Sequence, residues 1–328
     1  MLVSVVVPCR NEVKYISRSI ESICNQIGFD KNIEVIVVDG MSEDGTREIL
    51  SDKLKKFTNL TVINNPQRIT PVARNIGIKN SSGKFICIMD AHSVYDLNYL
   101  QTCLDLLNIH QEVSCVGGPI TSVGENDFGR ATAIAMSSII GVGNAKHRFP
   151  KYEGYAEMAC FPMFRREVFD KIGYYDESLI RNQDDEFSLR LRLSGSKVFI
   201  SPNVKSLYYV RNSPQKLFKQ YFNYGFWRWM VIKKHKIQIS YRQIIPPAFI
   251  ILLLIFTILG LVLKSLPLIF IIPCIYLLVI GAYSLRLLKK ESLRIAILFS
   301  FSIVILHFSY GIGVLYSYLK DKFNLYWK

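Results

Sequence analysis

Two stretches near the N-terminus decide the fold: V-S-V-V-V-P-C-R-N-E at 3–12 and I-E-V-I-V-V-D-G-M-S-E-D-G-T at 33–46. Each opens with a run of apolar, largely β-branched residues. The runs do not alternate with polar residues, as expected of strands covered on both faces. Each then breaks into polar residues, the second at Asp39. Between them, residues 14–26 set Ile16, Ile20 and Ile23 on one helical face. Outward from this pair the pattern repeats. A helix should follow to about Lys56, capped by Ser42 or Asp44. A third strand is expected at 60–63, a short helix at 71–79, and a fourth strand at 84–90 that again ends in an aspartate. Strands alternating with helices predict an α/β domain with a mostly parallel sheet between helical layers. In such sheets ligands sit at the carboxyl ends of the strands. Loops 8–12, 39–46 and 90–96 all fall at that edge, and the two acidic ones suit a metal ion or sugar hydroxyls. No GxGxxG follows the first strand and no GxxxxGK[ST] occurs, so neither a dinucleotide fingerprint nor a P-loop is present.

The charge is unevenly placed. The chain has 328 residues, Lys+Arg 40 against Asp+Glu 26, and a net charge of +14. Residues 1–186 hold 20 basic and 24 acidic residues, 187–245 hold 12 basic and none acidic, and 246–328 hold 8 basic and 2 acidic. The first part is therefore slightly acidic, and a stripe without a carboxylate precedes the most apolar part of the chain. The mean hydropathy of +0.22 excludes disorder and suggests membrane content. Three runs at about 244–263, 266–285 and 295–319 contain no Asp, Glu, Lys or Arg, and each reaches the roughly 20 residues that a membrane helix needs. Lys233, Lys234, Lys236 and Arg242 precede the first run, and Arg286, Lys289, Lys290 and Arg294 follow the second. Only Lys264 lies between them. The positive-inside rule then predicts a multi-pass cell-membrane protein with its N-terminal domain on the cytoplasmic side. Three crossings would put the C-terminus outside, which Lys320, Lys322 and Lys328 oppose, and the third run could instead pack inside a bundle. Residues 2–7 lack the flanks of a signal peptide. Seven scattered cysteines form no CxxC pair, as suits reduced thiols rather than a disulfide framework or a zinc site.

Residues 206–243 interleave aromatics such as Tyr208, Tyr221, Trp227 and Trp229 with Lys216, Lys219, Arg228 and Lys233. That pattern reads as an interfacial helix on anionic membrane lipids. With the charge so explained, no nucleic-acid partner is implied.

The motifs, in order, resemble those of family 2 glycosyltransferases with the GT-A fold. They are V-S-V-V-V-P-C-R-N-E (3–12), V-V-D-G-M-S-E-D-G-T (37–46), A-R-N-I-G (73–77), I-M-D-A-H (88–92), F-R-R-E-V-F-D-K-I-G-Y-Y-D-E (164–177) and N-Q-D-D-E-F-S-L-R-L (182–191). The D-A-H form and residues 208–229 are most similar to exopolysaccharide glucosyltransferases of the succinoglycan-synthesis type. The resemblance covers roughly 1–230. It implies a GT-A domain over 1–205, followed by the interfacial segment 206–243, the apolar spans 244–319 and a tail 320–328.

The resemblance also implies roles. Asp39, with Pro8, Arg10 and Glu12, would line the nucleotide pocket, although Gly40 stands where the family often has a second acid. Arg74 would approach the base or the diphosphate. Asp90 and His92 occupy the D-x-D position, which binds the donor and a divalent metal, Mn²⁺ or Mg²⁺; imidazole suits Mn²⁺ better. Asp184 would be the base that deprotonates the acceptor hydroxyl in an inverting transfer, with Asp185 the second choice. A helix N-terminus decorated with acids is the plain alternative for this triplet. Arg211 or Arg228 would bind a diphosphate. The implied donor is a nucleoside diphosphate sugar, UDP-linked by preference, and the implied acceptor is a polyprenyl-diphosphate-linked saccharide. Polyprenyl phosphate as acceptor, or a catalytically silent nucleotide-sugar-binding protein, are the other readings.

Overall fold

A computed structural model describes residues 2–28, 32–237 and 240–323. The expected tail therefore lies outside the described residues from 324 onward. The chain forms two compact units, the first built from Met1–Thr121 and Ala145–Tyr209 and the second from Ser122–Asn144 and Val210–Lys328. The strands are β1 (Val3–Cys9), β2 (Ile33–Asp39), β3 (Leu60–Asn64), β4 (Phe85–Ile88), β5 (Val94–Tyr95), β6 (Val113–Gly118), β7 (Thr121–Val123), β8 (Gly154–Tyr155), β9 (Cys160–Arg165), β10 (Lys197–Ile200) and β11 (Ser206–Tyr209).

In the first unit eight strands form one sheet in the order β3-β2-β1-β4-β9-β6-β10-β8. β3, β2, β1 and β4 run parallel, with Cys9 opposite Asp39 at the carboxyl edge. β9 is antiparallel to both β4 and β6, and β10 returns parallel to β6. The expected alternation of strands and helices is thus observed: α1 (Ile16–Cys24), α2 (Thr46–Lys56), α3 (Thr70–Lys79), α4 (Tyr99–Ile109), and, after an excursion into the second unit, α7 (Glu167–Ile172) and α8 (Gln183–Leu193).

The unbroken apolar run of β1 has its expected cause. Val3, Val5 and Val7 pack with Ile16, Ile20 and Ile23 of α1 on one face of the sheet, while Val6 packs with Ile78, Ile86 and Ile88 on the other. The start of α2 differs from expectation. Its N-cap is Gly45 at φ 97°, a left-handed conformation that glycine adopts without strain. Ser42 is turned to Asp39 instead, and Asp44 accepts from the backbone N–H of Thr46 at 3.1 Å.

The second unit contains α5 (Asp127–Met136), the short α6 (Ile139–Val142), α9 (Pro214–His235), α10 (Ile245–Val262), α11 (Leu266–Leu287) and α12 (Leu293–Lys322). The last three are long and apolar enough to cross a membrane. α9 buries Leu217, Tyr221, Gly225, Arg228 and Val231, a single face at helical spacing. That face meets α12 at close backbone distance, and a Cβ added to Gly225 would lie 2.1 Å from the carbonyl oxygen of Tyr310. Backbone cannot yield as a side-chain tip can. Gly225→Ala is therefore expected to destabilise the detergent-solubilised protein by about 1–3 kcal/mol, read as a lower midpoint in thermal unfolding. An unchanged midpoint would contradict the packing.

Candidate active site

The site grows from the carboxyl ends of β1, β2 and β4. Asn11, at φ 55°, turns the chain after β1, and the turn is laced to the loop after β2. The backbone N–H of Asn11 donates to Ser42 Oγ (2.8 Å), that of Glu12 to Thr46 Oγ1 (2.8 Å) and that of Glu43 to Asn11 Oδ1 (3.0 Å). Pro8, Arg10, Glu12 and Asp39 are thus brought to one edge. Asp39 is fully buried. Its carboxylate accepts the Ser42 hydroxyl at 2.5 Å and faces Arg47 Nε at 3.4 Å. A Cβ on Gly40 would lie 3.2 Å from the Arg10 stem, a tight contact to which that exposed side chain would have to yield. Arg10 Nη1 reaches the carbonyl of Arg68 at 3.3 Å. Negative charge gathers at this edge: burial, then Asp39, Glu12 and Asp44, push the Cys9 thiol far above its usual range.

Asp90 follows β4. Its backbone N–H donates to Tyr95 Oη at 2.7 Å, and its carbonyl accepts from Tyr95 Oη (3.2 Å) and Ser19 Oγ (3.1 Å). Tyr95 is itself held edge-on between Tyr99 and Phe161, with centroids at 5.2 Å in both cases. Asp90 is therefore fixed by its main chain, while its carboxylate makes no hydrogen bond or ion pair with another described residue. His92 Nδ1 lies 3.2 Å from Glu12 Oε1, and its ring lies 6.5 Å from that of Tyr208. Asp96, a second acid in this loop, accepts from Asn98 N–H at 3.0 Å in the turn that opens α4.

Arg74 is buried, on α3. Its guanidinium lies over the Tyr175 ring, 5.0 Å from the centroid. Burial pulls its pKa down, but Tyr175, Asp184 and Asp90 outweigh burial and leave it above its ordinary value. The charges of Asp90, after β4, and Asp184, at the start of α8, thus both act on Arg74, and both also act on Cys160. The Arg74 Nε is buried and has no hydrogen-bond partner among the described residues. Asn75 sets the support beneath. Its Oδ1 accepts from Tyr175 N–H (2.9 Å) and its Nδ2 donates to the Tyr175 carbonyl and to Glu177, both at 2.8 Å.

The triplet 184–186 divides by environment. Glu186 is fully buried and forms a two-point pair with Arg190, Nε–Oε1 2.9 Å and Nη2–Oε2 3.0 Å. Arg190 also holds the carbonyls of Ile172 and Tyr174, so this pair is structural. Asp184 and Asp185 are half-buried in the first turn of α8. Asp184 Oδ1 accepts from Asp185 N–H at 3.0 Å. Arg211 is exposed and Arg228 buried, and both belong to the second unit. Tyr95, Ser19, Asn75 and Tyr175 support the site without any signal of their own in the sequence. Asn75 stands inside the quoted A-R-N-I-G motif, but its partner lies 100 residues away.

Among the described residues no three His, Cys, Asp or Glu side chains form a metal cluster. The donor set nevertheless fits a cation shared with a diphosphate. Mg²⁺-like ions at nucleotide sites take one or two protein carboxylates and complete their shell with phosphate oxygens and water. The Asp90 carboxylate accepts no hydrogen bond from another described residue, and a carboxylate on one imidazole nitrogen, as Glu12 is on His92, is how metal-binding histidines are oriented.

A mostly parallel sheet of this order, with Asp39 and Asp90 at its carboxyl edge, places the candidate site where open α/β sheets bind ligands. Residues 4–173 match the model of glycosyl transferase family 2, and the chain belongs to that family. It is a family 2 glycosyltransferase with the GT-A fold. It is 32% identical over 247 residues to the succinoglycan biosynthesis protein ExoA of Rhizobium meliloti (strain 1021), covering 74% of each chain. It is 30% identical over 321 residues to a dolichyl N-acetyl-alpha-D-glucosaminyl phosphate 3-beta-D-2,3-diacetamido-2,3-dideoxy-beta-D-glucuronosyltransferase of Methanococcus voltae, covering 94% of this chain and 95% of that one. Among solved structures, the mannosyltransferase PcManGT from Pyrobaculum calidifontis, in complex with GDP-Man and Mn²⁺, shares the fold with a TM-score of 0.61 at 15% identity over 98% of this chain and 87% of that one.

Proposed function

We propose that the protein is an inverting glycosyltransferase that moves a sugar from a nucleoside diphosphate, UDP-linked by preference, to a lipid-linked saccharide. The observation that carries this reading is the meeting of the loops after β1, β2 and β4 at one carboxyl edge, where Glu12 lies beside His92 and the buried Asp39 faces Arg47. The charges of Asp90 and of Asp184, the proposed acceptor-side acid, both act on the buried Arg74. In the reaction the acceptor oxygen attacks the anomeric carbon, the bond to the diphosphate breaks, and Asp184 takes the hydroxyl proton. Pro8, Arg10, Glu12 and Asp39 line the nucleotide side, and Arg74 adds positive charge where the diphosphate becomes more negative. Asp90, with His92, would hold a divalent cation that offsets charge on the leaving group. Arg211 or Arg228 would serve a phosphate of the lipid acceptor. The Methanococcus relative is named for acting on a dolichyl N-acetylglucosaminyl phosphate, a sugar already carried on a lipid. That name favours elongation of a lipid-linked sugar over charging of a bare lipid phosphate; a polyprenyl-diphosphate saccharide as the acceptor follows from the family resemblance alone. The apolar helices support a membrane location, with the catalytic unit on the cytoplasmic side and anionic lipids against the basic segment.

Chelation tests the metal assignment. Transfer in purified membranes is expected to stop in EDTA and to return with Mn²⁺, and Asp90→Asn should resist that rescue. Full turnover in EDTA would remove Asp90 and His92 from a metal role.

A further inference from the structure

α12 differs from its apolar neighbours in its surroundings. In the most apolar windows of α10 and α11, 11% and 6% of residues are buried, against 50% in α12. The buried residues of α12 include Ile295, Phe299, Ser302, Leu306, Ser309 and Ser317, which follow one face. α5 and α6 cover the first half of that face. Arg130 pairs with Glu291 at 2.8 Å and Asp127 with Arg294 at 3.0 Å. Thr132 Oγ1 meets Ser302 Oγ at 3.1 Å, and His307 Nε2 meets the Ile140 carbonyl at 2.8 Å.

α9 covers the second half. A Cβ on Gly313 would lie 2.2 Å from the Phe222 carbonyl oxygen. Further along, Trp229 Nε1 donates to Asp321 Oδ2 at 3.3 Å, and Lys233 pairs with the same carboxylate.

α9 carries Lys216, Lys219, Arg228, Lys233 and Lys234 and no acid. At the centre of a membrane helix each such cation costs about 2.5–3.5 kcal/mol even on the mildest scale, so α9 does not lie in hydrocarbon. It immediately precedes α10 and therefore stays on the side from which α10 enters. Asp321, bonded to Trp229 and Lys233 near the end of α9, is on that side too. The start of α12 is there as well, because α10 crosses and α11 returns.

We infer that the bilayer is crossed only by the hairpin α10–α11, and that α12, although long and apolar enough to cross, returns its C-terminal end to the side of α9. The lipid-facing surface is then the exposed flank of the hairpin. The even count also puts Lys320 and Lys322 on the side of Arg286, Lys289, Lys290 and Arg294, which removes the conflict in the charge pattern. The inference does not depend on the proposed sugar chemistry.

Three single substitutions in the full-length protein, Lys264→Cys, Lys289→Cys and Phe323→Cys, test it. All three positions are exposed. A membrane-impermeant maleimide is applied to intact and to permeabilised spheroplasts, and labelled peptides are identified by mass. Positions 289 and 323 are expected to label under the same condition and position 264 under the other. Labelling of 264 and 323 together, with 289 apart, would overturn the inference. If the Phe323 variant fails to accumulate, an epitope tag appended after Lys328 and probed with antibody replaces it, with the same two outcomes.

Discussion

Asp184→Asn is expected to reduce sugar transfer by about 10²–10⁴-fold, the usual contribution of a positioned general base. Donor binding and the thermal midpoint should stay near wild type. The expectation rests on the placement of the three neighbouring acids. Asp184 is half-buried at the first turn of α8, and its charge acts on Arg74 together with that of Asp90. Its hydrogen bond from Asp185 N–H survives in the amide, whose oxygen still accepts, so the substitution removes basicity with little change of shape. Asp185→Asn is expected to leave most activity. Full transfer by Asp184→Asn, with loss in Asp185→Asn instead, would move the base by one residue.

Arg190→Ala is expected to cost about 3–5 kcal/mol of stability, because it strands a fully buried carboxylate. Glu186 has no exposed side-chain surface and meets Arg190 at two points. Removing the arginine also frees the carbonyls of Ile172 and Tyr174. Replacing both partners by similar-sized residues, Glu186→Gln with Arg190→Met, should cost less than Arg190→Ala alone, because no unpaired charge is then left buried. Thermal unfolding in detergent reads both variants. Equal midpoints for wild type and Arg190→Ala would show that the pair does not hold α8. Together the two experiments divide one acidic triplet into a chemical member and a structural one.

Much of the sheet was legible in the sequence because β1 and β2 are buried on both faces, so their composition announces them. The carboxyl-edge loops followed from chain direction, and they do bring Arg10, Glu12, Asp39, Asp90 and His92 to one edge. Three features were not legible, two of them because the partner is distant in the chain. Asp39 is held by Ser42 and Arg47, which no spacing rule pairs. The resemblance marks Arg74 for the base or the diphosphate, but its burial against the Tyr175 ring, about a hundred residues on, is not visible in the sequence. The excursion 122–144 looked like part of a 1–205 domain, because α5 is a ten-residue helix without a span-like signal. Its attachment to the second unit depends on pairs such as Arg130–Glu291, 161 residues apart. α12 shows the limit from the other direction. Composition marks it as a span, while Ser302, Ser309 and Ser317 on its buried face mark helix packing.

The proposed reaction is a transfer from a nucleoside diphosphate sugar to a saccharide on a lipid. It is tested most directly by incubating membranes that contain the full-length protein with a panel of such donors and taking mass spectra of the lipid extract. One donor is expected to yield a lipid-linked saccharide heavier by a single sugar, absent from Asp184→Asn membranes. A new lipid monophosphate carrying only that one sugar, or no donor consumption with any member of the panel, would contradict it.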